Sequence, residues 1–168
     1  MQNTNQDTLV VYFSATGTTK SAAERIAAVT GADIYEIQAA QAYTPDDLNW
    51  RNRNSRTTRE QNDPSSRPEI GSGSAQLDRY RTVFIGYPIW WGVAPRIVDT
   101  FVESNSFDGI DVIPFCTSGG SGVGRSAANL AQLAGSGSWR AGREYRRSAT
   151  DEELKSWAGH RVLVRPAR

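Results

Sequence analysis

A doubly wound α/β fold, with helices on both faces of a mostly parallel sheet, is what this 168-residue sequence predicts. Two observations predict it. Short apolar runs rich in β-branched and aromatic residues recur along the chain, and segments of helical period lie between them, so that strand and helix alternate four or five times. Alternation of this kind demands parallel strands joined by right-handed crossovers. A third observation concerns function: the turns that follow the first, third and fourth runs are all unusual, and open α/β sheets place their ligands at those strand ends.

The elements can be taken in order. Thr8 to Ser14 (TLVVYFS) reads as a buried strand, and Thr18 to Val29 as a helix with Ala22, Ala23, Ile26 and Ala27 on one face and Gly31 as its stop. Asp33 to Gln38, around Ile34 and Ile37, is a second strand and Thr82 to Tyr87 a third. Ala94-Pro95 opens a helix through Val102, with proline at the first helical position and Ile97, Val98, Phe101 and Val102 turned inward. Asp111 to Thr117 (DVIPFCT) is a fourth strand, although Pro114 cannot donate to a ladder. Arg125 to Ala134 is helical, facing inward through Ala127, Leu130, Ala131 and Ala134, and Arg143 to Arg147 is a weak fifth strand. Thr150 with Glu153 forms a capping box for a last helix, which Gly159 closes after Trp157. In the tail, residues 160–168, the Val162-Leu163-Val164 run fits either an added edge strand or a loose end.

One stretch interrupts the pattern. Between Ala39 and Arg81 a single short helix is expected, from Thr44-Pro45 through Trp50, followed by a polar run from Arg51 to Ser74 without apolar period. This insert of about residues 40–80 is long for a structureless connection, and such loops are usually functional or flexible. The whole chain, 1–168, is read as one domain.

Composition narrows the function. The formal net charge is +1, and the arginines at 51, 53, 56, 59 and 67 and at 140, 143, 146 and 147 are interspersed with Asp, Glu and Asn, which reads as solvated surface rather than a nucleic-acid face. No apolar run is long enough to cross a membrane. Met1 to Asp7 lacks the regions of a signal peptide, and a single cysteine, Cys116, excludes an internal disulfide, so a cytoplasmic location is expected. Cys116 itself reads as a buried structural thiol, and neither a metal-ligand cluster nor a role for the lone His160 is expected.

The chemistry is written in three turns. Ser14-Ala15-Thr16-Gly17-Thr18-Thr19 gathers hydroxyls and backbone N–H groups at a helix N-terminus, where the helix dipole favours an anion. The spacing of a Walker motif is missing, which suits a phosphomonoester better than a triphosphate. Tyr87-Pro88-Ile89-Trp90-Trp91-Gly92 sets two adjacent indoles at a strand tip, where one can stack on a flat ring while the other packs beneath the sheet. Thr117-Ser118-Gly119-Gly120-Ser121-Gly122 lets backbone approach a ligand closely and adds hydroxyl donors. The overlapping Gly122-Val123-Gly124-Arg125-Ser126-Ala127 satisfies GxGxx(G/A), but in the wrong βα unit and with no acidic residue at the next strand end, so it is read as coincidence.

Val10 to Ile26 (VVYFSATGTTKSAAERI) resembles the signature of flavodoxins, and YPIWWG and TSGGSG resemble the flavin-facing loops of that superfamily. The likeness covers roughly Leu9 to Trp157 and is nearest to a subgroup with a polar insert after the second strand. It implies a three-layer, five-stranded parallel sheet in the order 2-1-3-4-5 and FMN as cofactor. Ser14, Thr16, Gly17, Thr18 and Thr19, with Ala15 among them, would hold the phosphate, and Trp90 or Trp91 would shield the ring. Three roles stay open: an electron carrier working with redox partner proteins, a reductase taking hydride from NAD(P)H to a small quinone or nitro acceptor, and a non-redox phosphate-binding module. The paired tryptophans speak against the last. The chain would act as a monomer or homodimer, without nucleic acid or membrane.

Flavodoxins that shuttle electrons are commonly acidic, and negative charge near the ring opposes the charge that full reduction adds. A chain of net charge +1 is therefore expected to hold a less reducing flavin. A redox titration giving full reduction at a potential as low as that of an acidic flavodoxin would refute this.

Overall fold

A computed structural model describes residues 7–118 and 122–163. Its elements run β1 (Thr8–Tyr12), α1 (Thr18–Thr30), β2 (Asp33–Glu36), α2 (Arg56–Gln61), β3 (Thr82–Pro88), α3 (Arg96–Ser104), β4 (Asp111–Thr117), α4 (Ser126–Ala134), β5 (Ser138–Trp139), β6 (Arg143–Glu144) and α5 (Asp151–Leu163), with a 3-10 turn at Leu77–Arg79. The strands form one sheet in the order β2-β1-β3-β4-β5, with β6 also on β4, and every pairing is parallel. Among the described residues no helix is long and apolar enough to cross a membrane.

Alternation along the strands builds two cores. Leu9, Val11, Val83, Ile85, Tyr87, Val112 and Cys116 face α3 and α4, meeting Ile97, Val98, Phe101 and Leu130. Val10, Tyr12, Phe84, Ile113 and Phe115 face the other way, onto Ala22, Ala23 and Ile26 of α1 and Trp157 and Ala158 of α5. β2 pairs only with β1, so this edge strand leaves Ile34 largely exposed while Ile37, just past its end, is buried.

Pro114 has a simple place in the ladder. The carbonyls of Val112 and Cys116 accept from Arg140 N and Tyr145 N, so the even-numbered residues of β4 turn their peptide groups toward β5 and β6. Pro114 shares that parity, and its missing N–H faces the gap between β5 and β6, where a Cβ on Gly142 would lie 3.4 Å from its ring. The fifth strand position is thus filled by two short pieces, of which Arg143–Glu144 lies inside the segment expected from sequence.

Other boundaries moved for local reasons. Thr44 to Trp50 makes turns rather than a helix. Thr44 and Asp47 bond each other reciprocally, but the side chains of Asn49 and Asn52 then bond the backbone two residues on, which competes with helix propagation. The insert's helix is α2 instead, within the stretch read as polar loop, and Ser55 caps it by accepting from Thr58 N. Pro95 sits at the N-cap of α3, one position ahead of the expected N1. α4 buries Ser126 and Leu130, with the flanking alanines half-covered. The capping box of Thr150 and Glu153 starts α5, as expected. Gly159 does not end that helix, which continues to Leu163, so Val162 and Leu163 belong to it and not to an edge strand; Val164 lies outside the described residues.

At the sheet centre Tyr12, Gly86 and Phe115 are register partners on one face, and a Cβ on Gly86 would overlap the Phe115 ring. Overpacking a fixed core costs about 1–3 kcal/mol. Gly86→Ala is therefore expected to lower the urea midpoint by that stability with an unchanged m-value, and an unshifted midpoint would contradict this packing.

Candidate functional site

The parallel register brings the ends of β1, β3 and β4 side by side, and the loops that leave them border one pocket of about 220 Å³. Ala15, Thr16, Thr18 and Thr19 line it from the first loop, Pro88, Trp90 and Trp91 from the second, and Thr117 from the third. Leu48, Trp50 and Thr57, all from the insert, complete the wall. None of these three was singled out in the sequence. An indole at position 50 in an otherwise polar run was the one available signal, and it has no local periodicity to mark it.

The first loop sets hydroxyl side chains around the N-terminus of α1. Gly17 is the N-cap of α1 at φ 99°, a conformation that costs an L side chain roughly 1–2 kcal/mol. No side chain caps this helix, so its hydroxyls are not spent on the first-turn amides. Ser14 Oγ accepts from Gly17 N at 3.0 Å and fixes the bend, while Thr16 and Thr18 remain exposed with their hydroxyls 3.5 Å apart. Thr19 is buried, and its Oγ1 lies 2.8 Å from Thr117 Oγ1, which ties the first loop to the third. The 13-residue helix behind adds its positive end.

The second loop separates its two indoles. Trp90 packs edge-on against Phe13 and Tyr43, with centroids 5.8 Å away in each case, and joins the core. Trp91 stays half exposed, at φ 54°, followed by Gly92 at φ 81°. Trp90 N donates to Val93 O and Val93 N to Trp90 O, so Trp91 and Gly92 are the central pair of a tight turn with positive φ at both positions. Ile89 packs on the core. Tyr87 is buried: its hydroxyl lies 2.9 Å from Ser126 Oγ and burial pushes its acidity well below that of a free phenol, so its side chain is turned away from the pocket.

In the third loop, Ser118 Oγ donates to Glu144 Oε2 of β6 and accepts from Gly122 N. Gly119, Gly120 and Ser121 lie outside the described residues. Cys116 is fully buried on the strand below, its thiol pushed up to about 12 by burial and then by Glu144, which makes it inert at neutral pH. Burial, then Glu36 and Glu24, likewise raises Tyr12 to about 12.

A larger hollow, about 850 Å³, lies at the opposite edge between β6 and α5. Its lining mixes Arg143 and Arg146 with Glu144 and Glu153 over Phe115 and Trp157, and it includes none of the loop residues above. The smaller pocket is the one where the hydroxyls at the start of α1 and open indoles converge. Among the described residues no group of three or more His, Cys, Asp or Glu could hold a metal ion.

Charge braces the insert internally through Arg56 and ties it to the domain through Arg67. Arg56 lies 3.8 Å over the Tyr43 ring and pairs with Glu60 at 2.9 Å and Asp47 at 3.6 Å. Arg67 pairs with Glu103 at 2.7 Å, and both Arg67 and Arg96 approach the buried Asp99, whose carboxyl burial pushes up and whose arginine partners pull down. Arg51, by contrast, is exposed and stacks over Trp50 with 5.1 Å to the ring centroid.

The flavodoxin family model matches residues 7–161. A protein described as a flavoprotein from Bacteroides eggerthii is 47% identical over 93% of this chain and 98% of its own, with a TM-score of 0.87. Another from Bacteroides uniformis is 43% identical over 93% and 99%, with a TM-score of 0.86. A flavoprotein from Lactobacillus acidophilus solved in complex with FMN shares the fold at 19% identity, covering 91% of this chain and 99% of its own, TM-score 0.68. A comparison with curated proteins finds no match.

Positive φ at position 91 favours glycine over alanine by about 1 kcal/mol, the reverse of their order in a helix. Trp91→Gly is therefore expected to be more stable than Trp91→Ala by about that amount in urea denaturation; equal or inverted stabilities would contradict the turn.

Proposed function

This chain belongs to the flavodoxin family, and we propose that it binds FMN at the three-loop pocket and serves as an electron carrier. The observation that carries the reading is one pocket bordered both by the uncapped end of α1 and by an open indole, Trp91. A phosphate and a planar ring joined by a short linker match those two features better than a phosphate alone. When bound, FMN supplies reversible uptake of one or two electrons.

The geometry supports the following roles for the chain's own residues. The hydroxyls of Ser14, Thr16 and Thr18 and the first amides of α1 hold the phosphate, with the helix dipole standing in for a cation. Thr117 and Thr19 fix the distance between the phosphate loop and the third loop through their mutual hydrogen bond. Trp91 and Trp50, exposed at the mouth, cover the ring and keep water from it, and Trp90 anchors the loop beneath.

Two observations support a carrier over a hydride-accepting reductase. Trp50 and Trp91 are 65% and 50% exposed, so the mouth of the pocket is open to a docked protein. Arg56 and Arg67, two of the insert's arginines otherwise suited to NADPH phosphates, are committed to Asp47, Glu60 and Glu103 inside the fold.

The purified protein is expected to be yellow or to take up added FMN, and acid is expected to release FMN rather than FAD. Failure of the colourless protein to bind FMN by calorimetry or fluorescence quenching would remove the cofactor reading. Stopped-flow mixing with NADPH should leave the flavin oxidised unless a reductase is added, and fast direct reduction would replace the carrier with the reductase.

A further inference from the structure

The turn that presents Trp91 is strained, and strained backbone persists only where its surroundings over-determine it. The restraint does not come from the turn's own neighbours in sequence alone. It comes from the last residue of α2, Gln61, which is only 7% exposed. Its Nε2 donates to Trp90 O at 3.0 Å and to Ala94 O at 3.3 Å, one carbonyl on each flank of the Trp91-Gly92 pair. Its Oε1 accepts from Arg96 N at 3.2 Å, at the first turn of α3. The primary amide is thereby used at both ends, and no other common side chain of this length donates twice and accepts once.

The clasp is itself held. Arg96 Nη2 donates to Gln61 O at 2.9 Å and its Nε to Glu60 O at 3.3 Å, so the C-terminal carbonyls of α2 are bound by the helix that follows the turn. At the other end of α2, Ser55 caps the helix, Thr57 N donates to Asp47 O, and Thr57 lines the pocket beside Trp50 and Leu48. Through a short helix, the wall made by the insert and the turn carrying Trp91 are therefore one mechanical unit.

We infer that Gln61 is a positioning residue of the candidate cofactor site: it grips both flanks of the Trp90–Val93 turn and holds Trp91 in the left-handed conformation that presents its indole to the pocket. This rests on the FMN reading for its functional consequence but not for its structural one. A leucine at position 61 keeps the length and burial but removes the amide from the carbonyls of Trp90 and Ala94, leaving Trp90 O with Val93 N alone, so the turn loses its outer restraint while the insert keeps its other ties. Glycine at position 91 adopts positive φ without help, so it uncouples the turn from the clasp.

The test is a double-mutant cycle on the full chain with Gln61→Leu, Trp91→Gly and both together. Gln61→Leu is expected to weaken FMN binding about ten- to a hundredfold, the order set by losing the buried amide's two donated hydrogen bonds. In the Trp91→Gly background the same change is expected to cost less than about threefold, beyond the error of additivity for independent sites. Near-UV circular dichroism of the FMN-free protein should show an indole band altered by Gln61→Leu, and this alteration should vanish in the Trp91→Gly background. A Gln61→Leu protein that binds FMN like the parent, or a loss of threefold or more persisting beside Trp91→Gly, would overturn the inference. If the parent chain fails to bind FMN, the cofactor reading falls, and the circular dichroism comparison still decides whether Gln61 sets Trp91. Should Gln61→Leu not fold, Gln61→Glu, which keeps an acceptor for Arg96 N but loses the amide donor, carries the same comparison.

Discussion

The parallel hydrogen-bonded register of β1, β3 and β4 is the constraint on which the rest depends. Because Tyr12, Gly86 and Phe115 are partners across three strands, three loops far apart in sequence leave the sheet at one height. The register is held on its inner face by a close fit, the Phe115 ring lying where a side chain on Gly86 would be. A slip by one residue would exchange the two cores, since Val10, Phe84 and Ile113 face one layer and Leu9, Val83 and Val112 the other. Fold stability and site geometry are thus the same interaction seen at two distances.

At the strand tips the structure accepts local cost. Gly17 and Gly92 take conformations that glycine tolerates, but Trp91 takes one that tryptophan does not favour. Trp90 carries the packing of that loop through Phe13 and Tyr43, which frees Trp91 from a core role. The insert balances the cost with ordinary means: a capped short helix, two arginines on carboxylates and one amide on three backbone groups. A polar stretch without apolar period can still be ordered when its hydrogen bonds close partly on itself and partly on the domain.

The arginines read from sequence as solvated surface divide in the structure. Arg56 and Arg67 are structural, whereas Arg51 stays at the surface on the face of Trp50. Net charge near zero therefore does not mean an evenly neutral surface: part of the positive charge is used up inside the fold, and part sits beside the pocket.

What the sequence determined by itself was much of what depends on residues close together along the chain. The period of the apolar runs gave the strands and the helices of both layers; the Ser14–Thr19 turn gave the cradle; Thr150 and Glu153 gave the start of α5. Pairwise distance in space decided the remainder. Pro114 fits because the neighbouring strand is split opposite it, α2 forms where Asn49 and Asn52 have ended an earlier turn, and α5 runs through Gly159. Trp50, Thr57 and Gln61 reach the site only because the insert folds back across the strand tips, and which tryptophan packs and which is presented follows from contacts with Phe13 and Tyr43. Local propensity and periodicity are written in neighbouring residues, whereas a contact between residue 61 and residue 90 is made by the sheet that brings them together, and no short window of sequence contains it.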